Sequence, residues 1–119
     1  PMIKSNFSVP LPGQIYKFDT TSSSKAGHEQ MGYRPQLVIS VESKNRITGV
    51  VSCLPITSSD HGYPSHIALP DGLTIKGFIE TEHVNTYDLQ FRQAKLVGDV
   101  PPEVLEQARR YVALSLGIA

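Results

Sequence analysis

Gly13-Gln14-Ile15-Tyr16-Lys17-Phe18-Asp19 alternates apolar and polar side chains from Ile15 onward, the period of a strand that buries one face. Downstream, Gln36 to Val41 is dense in aliphatic and β-branched residues, as in a strand covered on both sides. Asn45 to Gly49 supplies turn chemistry, and Val50 to Ile56 makes a further strand, which Pro55 places near an edge or an end. His66-Ile67-Ala68-Leu69 reads as a short strand, followed by a turn at Pro70-Asp71-Gly72. Gly77 to Val84 is the last long strand candidate, and Gln93 to Val97 adds a short one. After Asp99-Val100-Pro101-Pro102-Glu103 the period changes. Val104, Leu105, Ala108, Val112 and Leu116 form an apolar stripe at helical spacing, with proline in the first turn and Gly117 as the stop. Five or six strands and one C-terminal helix predict a mainly β fold, a small antiparallel barrel with the helix packed against it.

The remaining segments fit around that frame. Residues 1–12 hold Pro1, Pro10 and Pro12 with little periodicity and read as an extended arm. Thr20 to Met31, with Ser22-Ser23-Ser24 and Ala26-Gly27, is a loop long enough to be functional. At 119 residues and 13.1 kDa, the expectation is one domain over 1–119, an arm at 1–12 followed by the barrel at 13–119. Eleven basic and eleven acidic residues give a formal charge of zero. That balance argues against coating nucleic acid by charge alone, since such binding scales with the phosphates neutralised. Lys17, Lys25, Lys44 and Arg46 can still build a local positive groove. The single Cys53 excludes an internal disulfide and a multi-cysteine zinc site. No apolar run approaches the ~20 residues of a membrane span, so the expectation is a cytoplasmic protein without membrane contact.

Two stretches look unlike scaffold. In Gly27-His28-Glu29-Gln30-Met31-Gly32-Tyr33-Arg34-Pro35, Pro35 biases Arg34 toward extended backbone where loop becomes strand. Such a guanidinium either grips a phosphate through two parallel hydrogen bonds or caps a carboxylate or carbonyl of its own loop. In Pro55-Ile56-Thr57-Ser58-Ser59, a strand runs into three hydroxyls, which either satisfy turn backbone or donate to phosphate oxygens. Tyr33 and Tyr63 are candidate stacking planes for splayed bases. His28, His61, His66 and His83 lack any short metal-ligand spacing, so no metal is expected. His61 and His66 read as surface loop and strand end. Glu80 and Glu82 either line the solvent face of a strand or, for Glu82, supply a carboxylate to the site.

Together these stretches, with Gly13-Gln14-Ile15-Tyr16 before them and Gly62-Tyr63-Pro64, Lys95-Leu96-Val97-Gly98 and Pro101-Pro102-Glu103-Val104-Leu105 after, resemble the MazF/PemK/Kid family of toxin endoribonucleases. The likeness spans roughly residues 13 to 116. It implies an SH3-like barrel of the CcdB/MazF type, a homodimer, and a toxin neutralised by a cognate MazE/PemI-like antitoxin. The implied activity is an mRNA interferase that cuts single-stranded RNA at short sequences without metal or other cofactor. DNA contact is implied only through the toxin–antitoxin complex. The family's arginine before proline falls on Arg34, its Pro-x-Thr-Ser hydroxyl on Thr57 and the loop histidine of the Kid-like branch on His28. Metal-free cleavage uses the 2′-OH as nucleophile and leaves a 2′,3′-cyclic phosphate and a 5′-OH. It needs a proton acceptor, a proton donor and charge stabilisation on the phosphorane. The resemblance therefore implies catalytic roles for Arg34, Thr57, His28 and Glu82, and RNA contacts from Glu29, Gln30, Tyr33, Ser58 and Tyr63. The chain departs from the Kid-like pattern at Glu80, which stands where that branch carries an arginine, and at Asn85, where many relatives are basic. An alternative on the same fold is a non-enzymatic, CcdB-like poison of DNA gyrase.

Overall fold

A computed structural model describes residues 7–21 and 32–118. Seven strands and two helices follow in the order β1 (Gln14–Asp19), β2 (Tyr33–Val38), α1 (Glu42–Thr48), β3 (Val51–Thr57), β4 (His66–Ala68), β5 (Phe78–Glu80), β6 (Asn85–Tyr87), β7 (Lys95–Asp99) and α2 (Pro102–Ser115). The strand order is β4-β5-β3-β2-β1-β7, with β6 also pairing β3. All pairings are antiparallel. β4 and β7 stand at opposite ends of that order without meeting, so the sheet is open and the expected barrel is not closed.

The alternation read in β1 is what splits the interior in two. Ile15 joins Leu37, Leu54, Ile56, Ile67 and Ile79 on one face, where Val104 and Ala108 of α2 complete the cluster. Tyr16 and Phe18 join Val38, Val51, Cys53 and Leu89 on the other. Residues 7–12 are less of a free arm than their prolines imply: Phe7 packs against the second cluster and Pro10 is fully buried. The α2 stripe holds at Val104 and Ala108 but fails at Leu116, which is exposed beyond the helix end. Arg109 Nε donates to the Ile39 carbonyl at 2.9 Å and fixes α2 just past β2.

Three local expectations are corrected. The segment around Asn45 to Gly49 is helical rather than a turn. α1 has seven residues and one large apolar side chain, Ile47, which is exposed, so no amphipathic period could announce it. Its anchor is polar: the buried Asn45 Nδ2 donates to the Pro10 carbonyl at 2.9 Å and the Ser40 carbonyl at 3.1 Å. Of the two places expected for Pro55, the edge is overturned, since β3 is a central strand, whereas it does lie near the strand's end, two residues before Thr57. It sits where β3 changes partners, between its pairing with β6 at Val51 to Cys53 and with β5 at Ile56 and Thr57, a gap in the ladder where a missing N–H costs little. The run from Gly77 to Val84 is a strand only over β5. It then turns, with the His83 amide bonded to the Glu80 carbonyl.

Candidate functional site

Arg34 is the second residue of β2, paired on one side with Phe18 of β1. On the other side, β2 and β3 pair Gln36 with Pro55, Leu37 with Leu54 and Val38 with Cys53. Continuing that register by two residues sets Arg34 against Thr57, so the guanidinium and the alcohol belong to neighbouring strands. Next to them opens a pocket of about 280 Å³ lined by Lys17, Tyr33, Arg34, Pro35, Ile56, Ser58 and Lys76. Three of these seven described residues are cationic. In a chain of zero formal charge, that local concentration suits an anion. Lys17 Nζ lies 5.4 Å from the centroid of the Tyr33 ring, a cation–π contact, and half of Tyr33 stays open to solvent.

The hydroxyl that lines this pocket is Ser58 rather than Thr57. Thr57 is buried, and its Oγ1 accepts the Ser59 amide at 3.2 Å. It therefore shapes the turn that presents Ser58. Gly77 closes the same corner. Its φ is +133°, and a Cβ there would come within 2.3 Å of the Thr57 carbonyl oxygen, so only glycine lets β5 approach the end of β3 this closely.

Not all the predicted residues gather here. His28, Glu29, Gln30 and Lys25 lie outside the described residues. Lys44 and Arg46 belong to α1: Lys44 Nζ donates to the Val50 carbonyl, and Arg46 pairs with Glu42. Lys76 was missed, because nothing in the sequence signals that a loop lysine returns beside β1 and β2. Tyr63 is exposed but faces the imidazoles, its ring 5.2 Å from His66 and 6.0 Å from His61.

Glu82 is not among the pocket's lining residues. Its Oε1 accepts from Ser65 Oγ at 2.6 Å, and its Oε2 lies 3.0 Å from His66 Nε2. His66 does stand at a strand end, opening β4, but it is not on the surface: only 1% of its side chain is exposed. Glu80 is also buried rather than on a solvent face, its Oε2 3.7 Å from the same nitrogen. Burial pushes the Glu82 carboxyl up, but bonds from Ser65, its own amide and His66 outweigh this and hold it below the ordinary glutamate value. A carboxylate tuned downward makes a weak proton acceptor at neutral pH. His83 reaches Glu82 as well, its Nε2 3.8 Å from Oε2; the turn after β5 removes the alternation that would separate neighbours.

The PemK-like, MazF-like toxin family of type II toxin–antitoxin systems matches residues 11–116 of the chain. The chain belongs to that family. It is 32% identical to the endoribonuclease toxin MazF of Escherichia coli strain K12 over 111 residues, covering 92% of this chain and 96% of that protein. It superposes on the crystal structure of MazF from Deinococcus radiodurans with a TM-score of 0.84 at 33% identity, covering 93% of this chain and 99% of the other. A MazE–MazF crystal structure from the same organism gives a TM-score of 0.83 at 33% identity, covering 95% and 100%. Among the described residues, no helix is long and apolar enough to cross a membrane.

Proposed function

We propose that this chain is an endoribonuclease toxin that binds single-stranded RNA across the Arg34 pocket, is held inactive by a cognate antitoxin, and works as a homodimer in the cytoplasm. The observation that carries this is the grouping of Lys17, Arg34, Lys76 and Ser58 around one pocket in a chain of the MazF-like family. The relatives named endoribonuclease and the MazE–MazF complexes among the structural neighbours support the activity and the partner.

In this reading the pocket holds the scissile phosphate. The 2′-oxygen attacks phosphorus as its proton leaves, the 5′-oxygen departs with a proton, and a 2′,3′-cyclic phosphate and a 5′-OH remain. Charge grows on the non-bridging oxygens in the phosphorane, where a guanidinium is worth most. Arg34 takes that role, since a group that never deprotonates is a stabiliser rather than an acid. Ser58 donates to a second phosphate oxygen, with Thr57 holding its turn. Tyr33, half-open beside Lys17, offers a face to an unstacked base. Proton transfer falls to groups outside the lining set. His28 and Glu29 are the candidates, in place of Glu82, which is committed to Ser65 and His66.

The test is direct. The purified chain, incubated with a long single-stranded RNA in EDTA, should give discrete fragments ending in 2′,3′-cyclic phosphate, and Arg34→Ala should abolish them. Intact RNA in the presence of folded wild-type protein would refute the reading.

A further inference from the structure

Lys76 borders two pockets. Besides the one at Arg34, it lines a second, of about 190 Å³, walled by Leu69, Pro70 and Phe78 and edged by Asp71. The two lie on adjoining strands. Thr57, one residue before Ser58 of the first pocket, pairs with Phe78 of the second, and Phe78 pairs in turn with Ala68.

The connection that carries Asp71 and Lys76 is held at both ends and in its middle. The Leu69 amide donates to the Gly77 carbonyl at 2.9 Å. Leu73 and Ile75 pack against the core cluster that α2 completes, and Gly77 lies close against the Thr57 carbonyl. Lys76 therefore stands between two fixed residues while itself remaining exposed. A wall held in this way loses little freedom when a ligand arrives.

The second pocket differs in chemistry from the first. Its walls are mainly apolar, with an aromatic ring at one side, which suits the flat face of a nucleobase. Asp71 is the one carboxylate among its described lining residues. An ionised carboxylate only accepts hydrogen bonds, through two oxygens side by side, so a base edge that meets it must offer donors. Guanine's Watson–Crick edge presents two adjacent donors, N1–H and the 2-amino group. Adenine and cytosine each set an acceptor nitrogen beside their amino group, and uracil sets its one N–H between two carbonyls. Guanine alone can bond both oxygens without turning an acceptor toward the carboxylate.

We propose that the Asp71 pocket takes a guanine from the nucleotide next to the phosphate held at Arg34. Phe78 lies against the base, Asp71 bonds its donor edge, and Lys76, at the border of the two pockets, meets the phosphate backbone that joins them. This rests on the reading of the Arg34 pocket as an RNA site. It makes Asp71 a specificity-determining residue and Lys76 the contact that keeps the two subsites in register.

The test is the binding of two short fluorescein-labelled RNAs, one all uridine and one with a single central guanosine, followed by anisotropy at several salt concentrations. Both carry 2′-fluoro groups in place of the 2′-OH, so neither contains the nucleophile for cleavage. The full-length protein should bind the guanosine-containing RNA at least about fivefold tighter, the lower end of what one good bidentate pair discriminates. Asp71→Asn, at an exposed position, should bring the two affinities within about twofold, because an amide trades one acceptor for a donor that uracil can satisfy. Lys76→Ala should weaken both alike and reduce the salt slope by about one. No binding of either RNA, equal affinity for the two in the wild type, or a guanosine preference that survives Asp71→Asn overturns the subsite. The endoribonuclease reading fails on a different result, intact RNA in the cleavage assay, on which these uncleavable RNAs do not depend.

Discussion

The Arg34 pocket and the His66 cluster flank opposite ends of the same short connection, yet they are built on opposite principles. The pocket gathers Lys17, Arg34 and Lys76 among its described lining residues, a concentration of positive charge at an open surface. The cluster gathers Asp60, Glu80 and Glu82 around one buried imidazole and turns its charge inward. In the proposed function, the engagement of Glu82 by Ser65 and His66 takes it out of the cleavage chemistry, while the cationic lining gives Arg34 a part in it. Arg34→Ala should therefore produce the largest change of any single substitution. Cleavage of a defined RNA should fall by at least about 10²-fold with an unchanged melting temperature. A loss below tenfold would mean that the pocket's positive charge is not spent on the transition state.

The next effect belongs to the corner that both regions share. Gly77→Ala places a methyl group against the Thr57 carbonyl oxygen, where rigid backbone meets rigid backbone. We expect a stability loss of about 1–3 kcal/mol, seen as a lower midpoint in urea with an unchanged m-value. A neutral Gly77→Ala would show that β5 can draw back from β3, and with it that the pocket's wall is soft.

The two regions were not equally legible in the sequence. Arg34 and Ser58 lie within local motifs, one before a proline and the other at a strand exit, and the strands around them announce themselves by alternation and β-branched runs. Those parts of the pocket could therefore be read locally, although Lys76, which comes from a loop, could not. The cluster could not. His66 and Glu80 are fourteen residues apart and meet only because β4 and β5 pair in that register, and no short-spacing motif encodes a cross-strand contact. Glu80 and Glu82 also sit two apart, which mimics one face of a continuing strand. The turn after Glu80, marked by neither glycine nor proline, breaks that pattern. α1 escaped for a related reason: its anchor is the buried Asn45 amide, and polar burial leaves no hydrophobic period to read. Closure of the sheet was overestimated because alternation fixes which face is buried, not whether the terminal strands meet.

Within the pocket, Ser58 and Thr57 divide one sequence motif into two jobs, and substitution should separate them. Ser58→Ala removes a hydroxyl from the lining and should lower cleavage about tenfold, the worth of one hydrogen bond to a charged group, at constant stability. Thr57→Val keeps the shape but withdraws the acceptor for the Ser59 amide. It should cost about 1 kcal/mol of stability, read by denaturant titration. If Thr57→Val instead abolishes cleavage in a fully stable protein, the buried alcohol touches substrate and the division is wrong.

The smallest effect tests the cluster by pH. Despite burial, hydrogen bonds from Ser65, its own amide and His66 hold Glu82 below the ordinary glutamate value, so the folded protein binds this proton less readily than the unfolded chain does. Its contribution to stability is complete above the unfolded pKa and disappears as pH drops through the lower, folded one. Glu82→Gln should flatten that part of the acid limb, while neutral-pH cleavage stays within about threefold of wild type. The two readouts must move apart. A steep loss of cleavage with an unaltered acid limb would return Glu82 to the reaction as a proton acceptor, and the contrast between an outward-facing cationic pocket and an inward-facing acidic cluster would no longer describe the division of labour.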